Sequence, residues 1–488
     1  MKNRLKLPNM HKIFRAICLL LCLCLLIGIL FVNWKEKEPI ERMNTSIRSE
    51  NCEILVQWEL PDNQQFQSIS IEILNDKRVV AEKSILPFRK KYSFRDGNHG
   101  ELYTVRVLGV LNDGTTEEIV ERDALFLDYS QLPDLPIISI DTASGEDPKS
   151  DVADKPDEAL LGGTISNNDY VSASMLMYGK QVDSISVGVE IRVRGNTSSI
   201  ISEKKSYKLH LSDMYDLLGT GEIASDEWVL LNNGYSLNTY VGDYIGDLCG
   251  MEWQPHMRFV NVIVNGDWKG CYCLTPAVSI TNAGRFVSDD GYIFENDAYY
   301  WKPGEVYFKT ENQIYQMGYT CKYPELNHCE DERLLRLQSY VQEFENSLMS
   351  SDEQYVNYID EESFAKWVLA RDLVGTLDGP GSNIYYYKYD FDSSNPTSTK
   401  IKMGPLWDFD SMYSTPEQWS MSHLDGGATY FWILFEQESF QKVYISEWEK
   451  ISPDLYSNIQ MELDELEKSQ GSALDESWQL ESARWKKV

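Results

Sequence analysis

The stretch Ser184–Leu211, "SISVGVEIRVRGNTSSIISEKKSYKLHL", decides how the larger part of this chain is read. Apolar and polar residues alternate up to Arg194-Gly195-Asn196-Thr197, which marks a strand ending in a turn. A second strand follows, with Tyr207, Leu209 and Leu211 on one face and Lys204, Ser206 and Lys208 on the other. The small-residue turn suits the presentation of backbone N–H groups to a phosphate. Lys204 or Lys208 on the next strand would then reach an α- or β-phosphate. The plainer alternative is a hairpin turn and a solvated edge strand that carries lysines against aggregation.

Outward from this stretch the pattern stays β-rich, then becomes helical. "FVNVIVNGDWKGCYCL" is a hairpin with Asn265-Gly266 as its two-residue turn. Leu334, Leu337, Val341, Phe344 and Leu348 keep helical spacing. A second helix is predicted after Asp360-Glu361-Glu362, a capping acid and a negative first turn. Ser452-Pro453 opens a third, carrying Leu455, Ile459, Leu463 and Leu466. Upstream, Cys52, Ile54, Val56, Trp58 and Leu60 alternate with polar neighbours, as do Ile69, Ile71, Ile73 and Tyr103, Val105, Val107. Short strands between Asn, Asp and Gly turns predict a half-buried antiparallel sandwich, similar to a fibronectin type III module, over 49–134. "SGEDPKSDVADKPDE", from Ser144 to Glu158, has no periodicity and reads as a mobile loop. Strands first and helices later is an α+β arrangement, a β-rich lobe on a helical lobe over 135–488.

The N-terminus carries a different signal. "AICLLLCLCLLIGILFV", Ala16 to Val32, is continuously apolar and long enough to span a bilayer. Lysines and arginines flank only its N-terminal side, so 1–15 is assigned to the cytoplasm and everything after the span to the outside. No small-residue cleavage site closes the run, which favours a signal anchor over a cleaved signal peptide. Residues 33–48 form a short charged stalk. The expected location is the cell membrane, with the large C-terminal part extracytoplasmic; a spore-coat or secreted protein is the alternative. The net charge of −31 argues against nucleic-acid binding; its plainer reading is solubility outside a cell, and the sharper one is attraction to a basic protein substrate. Six of the nine cysteines follow the apolar run, where disulfides persist, and Cys321 with Cys329 could close a short loop. The absence of a CxxC pair argues against zinc.

Two motifs carry chemistry. In "LDGPGSNIYYYKYD", Leu377 to Asp390, Asp378 precedes Asn383 by five residues on a turn between a helix and a strand. In "GPLWDFD", Asp408 and Asp410 end a second strand-like segment. Adjacent strands would bring Asn383 and an acid of this motif together. A carboxylate plus a carboxamide makes a hard-oxygen magnesium site with room for phosphates and water. Asp378 could then position or deprotonate a hydroxyl, the division of labour found in protein kinases. Read alone, D-x-x-x-x-N is weak, and a turn capped by Asp378 is the competing explanation.

The ordered set "RGNTS…KKSYKL", "FVNVIVNGDWKGCYCL", "GYIFEND", "LDGPGSN" and "GPLWDFD" resembles the spore-coat protein H (CotH) kinase family from about Leu135 onward. The resemblance implies an atypical protein-kinase-like fold that transfers phosphate from ATP, with Mg²⁺ or Mn²⁺, to protein Ser or Thr hydroxyls. It matches Asp378 to the catalytic acid, Asn383, Asp408 and Asp410 to the metal, Lys204 or Lys208 to the nucleotide, and Arg194, Gly195, Asn196 and Thr197 to the phosphate loop. Three positions depart from the family pattern. Pro276 stands where a glutamate is common, Asn238-Thr239 replaces an Arg-Asn pair, and no Gly follows the WDFD segment. Glu295 offers an alternative lysine partner. A catalytically inactive surface or spore-coat scaffold is the second expectation.

Overall fold

The computed structural model describes residues 43–485 apart from 61–65, 154–164, 168, 181, 196, 222–223, 233–235, 280–285, 303, 313–317, 351–352, 376–382, 411 and 413–430. The predicted span Ala16–Val32 lies outside the described residues, as do Asp378 and Asn196. Among the described residues no helix is long and apolar enough to cross a membrane. The chain divides into two compact units. Of the described residues, those in 43–47, 55–94 and 103–123 form the first, and those in 48–54, 95–102 and 124–485 form the second.

The first unit holds most of strands β1 (Asn44–Glu50), β2 (Glu53–Glu59), β3 (Phe66–Asn75), β4 (Arg78–Ile85), β5 (Lys91–Phe94), β6 (Leu102–Leu111) and β7 (Thr116–Leu125), with 48–50, 53–54, 102 and 124–125 belonging to the second. They make a three-stranded sheet β1-β2-β5 and a four-stranded sheet β4-β3-β6-β7. The alternation read from the sequence sets the buried face. Ile71 pairs with Val107 and Ile73 with Val105 across β3 and β6, and all four are fully buried. Trp58 is buried, and its indole N–H donates to the Pro87 carbonyl at 3.0 Å. Cys52 departs from the expected alternation. It sits exposed with φ 57° between β1 and β2, because the chain must reverse there.

The second unit opens with β8 (Ile137–Thr142), β9 (Asp151–Ala153), β10 (Ile165–Asn167), β11 (Val171–Tyr178), β12 (Ile185–Arg194), β13 (Ser206–Tyr215), β14 (Ser225–Leu231), β15 (Arg258–Val264) and β16 (Asp267–Pro276). The order β11-β12-β13-β14-β16-β15-β8 is a closed barrel. The closing pair is parallel, with Val262 opposite Ile138. Val189, Ile191, Val193, Tyr207, Leu209, Trp228 and Tyr272 belong to one buried apolar cluster drawn from the barrel strands. Asn265 and Gly266 both have positive φ, 51° and 77°, as the right-handed twist of a two-residue hairpin requires. β9 pairs with β10, so part of the segment expected to be a structureless loop is a small two-stranded sheet.

Beyond the barrel a five-stranded sheet runs β18 (Tyr307–Phe308), β19 (Gly318–Tyr323), β17 (Tyr292–Asp297), β20 (Ile384–Lys388), β21 (Ile401–Met403). The helices Glu332–Met349 and Glu361–Val374 pack in its core through Leu337, Val341, Phe344, Phe364 and Val368. Asp360 caps the second of these, accepting from the Ser363 N–H at 3.1 Å. The C-terminal helix Leu455–Trp485 places Leu466 and Leu474 against Cys271 and Cys273. Cys321 and Cys329 are free thiols, so the short loop they could have closed is not bridged.

Buried carboxyl groups make this unit sensitive to pH, and Glu345 is one of them. Glu345 is buried and accepts a hydrogen bond from the Tyr319 hydroxyl at 2.9 Å, while its Oε2 has no partner. Desolvation raises its pKa from 4.5 to about 7. The folded protein therefore keeps a proton that the unfolded chain releases. The resulting stability is fully present below pH 4.5 and is lost as pH rises through about 7. Thermal unfolding from pH 5 to 8 should show a falling Tm, worth up to roughly 3 kcal/mol. Glu345→Gln should reduce that slope, with Glu295, raised to about 7 by burial, carrying a share of its own; an unchanged slope would assign it wholly to other groups.

Candidate functional site

Asn383 immediately precedes β20, and the segment Gly404–Asp410 immediately follows β21. The two strands are antiparallel neighbours, with Tyr386 opposite Met403. Gly404 continues the pairing, since its N–H donates to the Tyr385 carbonyl and any Cβ there would lie 2.6 Å from Tyr385 Cβ. This register brings the Asn383 amide to Asp408, where Nδ2 donates to Oδ2 at 3.1 Å. The direct partner of Asn383 is thus Asp408, while Asp410 is exposed two residues further on. Both partners adopt left-handed backbone, φ 58° at Asn383 and φ 67° at Asp408. Asn and Asp tolerate that region better than other side chains, and residues held there concentrate at functional sites.

The helix Asn238–Leu248 buttresses this segment. Asn238 Nδ2 donates to the Phe409 carbonyl at 3.2 Å. Gly242 lies so close to Phe409 that an added Cβ would stand 2.3 Å from the ring. Gln254 is buried beside the same helix and accepts from the Leu406 N–H at 3.1 Å. Gly242→Ala must push Phe409 aside, an overpacking cost of about 1–3 kcal/mol. It should lower both the Tm and any activity that depends on Asp408 and Asp410. A variant with the wild-type Tm would show that the contact is soft.

A cavity of about 330 Å³ opens between these elements and the outside of the barrel, lined by Arg194, Gly195, Asp243, Asn383, Asp408 and Asp410 among others. Arg194 ends β12 and stacks over Trp407, with its guanidinium carbon 5.6 Å from the ring centroid. Burial lowers its pKa, opposed by the nearby charges of Asp408 and Glu295; an arginine remains charged all the same. Gly195 needs its φ of 102°, and a Cβ there would meet Ser198 Oγ at 2.4 Å. The expected turn after Arg194 leads into a short helix, Thr197–Ile201.

The two candidate lysines are held elsewhere. Lys204 is buried, paired with Glu481 of the C-terminal helix, and donates to the Cys271 carbonyl at 2.6 Å. Lys208 pairs with Glu227 across β13 and β14 at 2.6 Å. Among the described residues lining the cavity, Arg194 is the only cationic side chain. Glu295 is not the partner of Lys204. It sits on β17, 3.2 Å from Lys322, and burial raises its pKa to about 7 despite that lysine.

Asp243 and Gln254 are cavity residues that reading the sequence did not single out. A signal was present. Gly242-Asp243 and Gly246-Asp247 repeat one helical turn apart, so two small residues share a helix face that something must approach closely. Phe409 takes the first position and Gln254 the second. Asp243 is buried, and desolvation raises its pKa against a hydrogen bond with His256.

The donor set fits a divalent cation. Asp408, Asp410 and Asn383 line one polar cavity, and Asp243 Oδ1 is buried with no hydrogen-bond partner. Among the described residues no three His, Cys, Asp or Glu side chains stand close enough to hold a metal by themselves. Few protein ligands, with water and phosphate completing the shell, is the manner of magnesium.

A family model described as CotH kinase protein matches residues 191–484. The match covers more than half of the chain, which therefore belongs to the CotH kinase family, a kinase-like class of protein. No curated protein matches the sequence.

Proposed function

We propose that this chain is a protein kinase that uses Mg–ATP, or Mn–ATP, to phosphorylate Ser or Thr hydroxyls of proteins at the outer face of a membrane. The observation that carries this reading is the convergence of Asn383, Asp408, Asp410 and Arg194 on one cavity. Asn383, Asp408 and Asp410 would hold the cation, which when bound neutralises charge on the phosphoryl group. Arg194, packed on Trp407, would pair with phosphate oxygens. Asp378 is assigned the orientation of the attacking hydroxyl, five residues before Asn383. The barrel and the helix-backed sheet would act as the two lobes of a kinase-like domain over 135–488. A spacer module resembling fibronectin type III over 49–134, a stalk and a signal anchor at 16–32 would lie before it. The acidic surface favours a basic protein substrate.

The decisive experiment supplies labelled ATP and Mg²⁺ to the full chain and follows phosphate into the protein and into added basic proteins. Metal-dependent transfer that Asp378→Ala removes is expected. Equal labelling of wild type and Asp378→Ala would discard the assignment. A second reading, a non-catalytic surface or spore-coat scaffold of the same fold, is favoured by one observation: neither Lys204 nor Lys208 lines the cavity. It predicts nucleotide binding without transfer.

A further inference from the structure

Asp243 stands outside every motif that carries the reading above, yet it lines the same cavity. The residue is 8% exposed, its side chain 11%, and Oδ1 itself is buried. Oδ2 faces His256 Nδ1 at 3.5 Å, and His256 in turn faces Asp247 at 3.5 Å. The Gln254 side chain and the Met257 N–H also hydrogen-bond to the carboxylate. Oδ1 is left without a partner. A buried carboxylate oxygen with no donor is costly and calls for a ligand, an ion or a water. Whatever meets it must donate hydrogen bonds or carry positive charge.

The helix that carries Asp243 packs against the WDFD segment, and Asp243 lines the same cavity as that segment. Gly242, the preceding residue, touches the Phe409 ring, and Phe409 lies between Asp408 and Asp410. We propose that Asp243 is an additional carboxylate of the cation site, accepting hydrogen bonds from water molecules on the divalent ion held by Asn383, Asp408 and Asp410. Water-mediated contact agrees with the absence, among the described residues, of three acids near enough to chelate one ion directly. It also suits a cation that gives up its hydration shell reluctantly. Hydrogen-bond partners of this outer kind commonly account for 10–100-fold in metal affinity. The inference rests on the metal-dependent reading of the cavity and adds to it a residue from a distant helix.

The test is Mn²⁺ titration of the full chain in detergent, without nucleotide, by calorimetry and by the rise of Tm with added metal. Asp243→Asn should weaken Mn²⁺ binding about tenfold and shrink the metal-induced rise in Tm, with Asp410→Asn weakening it at least as much. Hexaamminecobalt(III), which donates hydrogen bonds but cannot be ligated directly, should raise the Tm of the wild type and not of Asp243→Asn. Wild-type Mn²⁺ affinity in Asp243→Asn, with binding lost in Asp410→Asn, would overturn the role of Asp243 and leave the site intact. Affinity unchanged in both variants would remove the metal reading itself. If Asp243→Asn does not fold, the cobalt complex decides on the wild type alone: no rise in Tm refutes the water-mediated contact.

Discussion

Asp410→Ala is expected to abolish phosphoryl transfer while leaving the Tm within about a degree of the wild type, as an exposed acid should. The asymmetry follows from where Asp410 sits. It is exposed at the mouth of the cavity, one residue beyond Phe409, and Phe409 is fixed by Gly242 and Asn238. An exposed position carries little buried structure, so removing the carboxylate should disturb chemistry more than stability. Phosphoryl transfer asks the protein for positioning and charge stabilisation rather than covalent steps. Loss of one such group typically costs about 10²–10³-fold in rate, and more where a cation is lost with it. Asp408→Ala should differ in kind. Asp408 accepts from Asn383 and holds a left-handed backbone, so alanine leaves the amide without this partner and strains the turn, lowering Tm as well as activity. Measuring kcat/KM and Tm for both variants separates the two effects. Transfer by Asp410→Ala within about twofold of wild type would remove this acid from the chemistry.

How much of this was readable from the sequence depends on the range of the interaction involved. The period-two runs around Val189, Ile191, Val193 and around Tyr207, Leu209, Leu211 face the barrel core because strand alternation is local. The Asn265-Gly266 hairpin and the Asp360 cap were equally legible, each being settled by its own few residues. The meeting of Asn383 with the WDFD segment was within reach because only a short connection separates β20 from β21, and nearby strands tend to pair. Barrel closure was not, because Val262 pairs with Ile138 in parallel across the whole intervening chain. Asp243 was missed for a related reason. A Gly-Asp pair on a helix acquires meaning only when Phe409 is known to fill the space above the glycine. The pairing of Lys204 with Glu481 was not legible, because the partner is 277 residues away.

Lys204 therefore supplies the second large effect, on stability. Its ammonium and the Glu481 carboxylate are 7% and 4% exposed. The ammonium also lies 4.4 Å over the Tyr272 ring, and the Cys271 N–H donates to Glu481 Oε2 at 3.3 Å. Gly270 leaves room for this, with φ 118° and its Cβ position 3.0 Å from the Glu481 carboxyl group. Glu481→Ala would leave a buried lysine without its counter-charge, a loss of about 3–5 kcal/mol. Replacing both partners, Lys204→Met with Glu481→Leu, removes both charges together and should recover most of that loss, since a packed apolar pair often equals a buried ion pair. Denaturant unfolding of the single and double variants measures the difference, and additive losses would show that the two residues are not coupled. The double variant also fixes the role of the lysine. The Lys204 carbonyl accepts from Asn232, a cavity residue, at 2.6 Å, whereas the Lys204 side chain does not line the cavity. A restored fold should thus restore transfer. Stability regained with transfer still absent would instead return Lys204 to the nucleotide, with Glu481 as the acid that holds it in place of a glutamate at position 276.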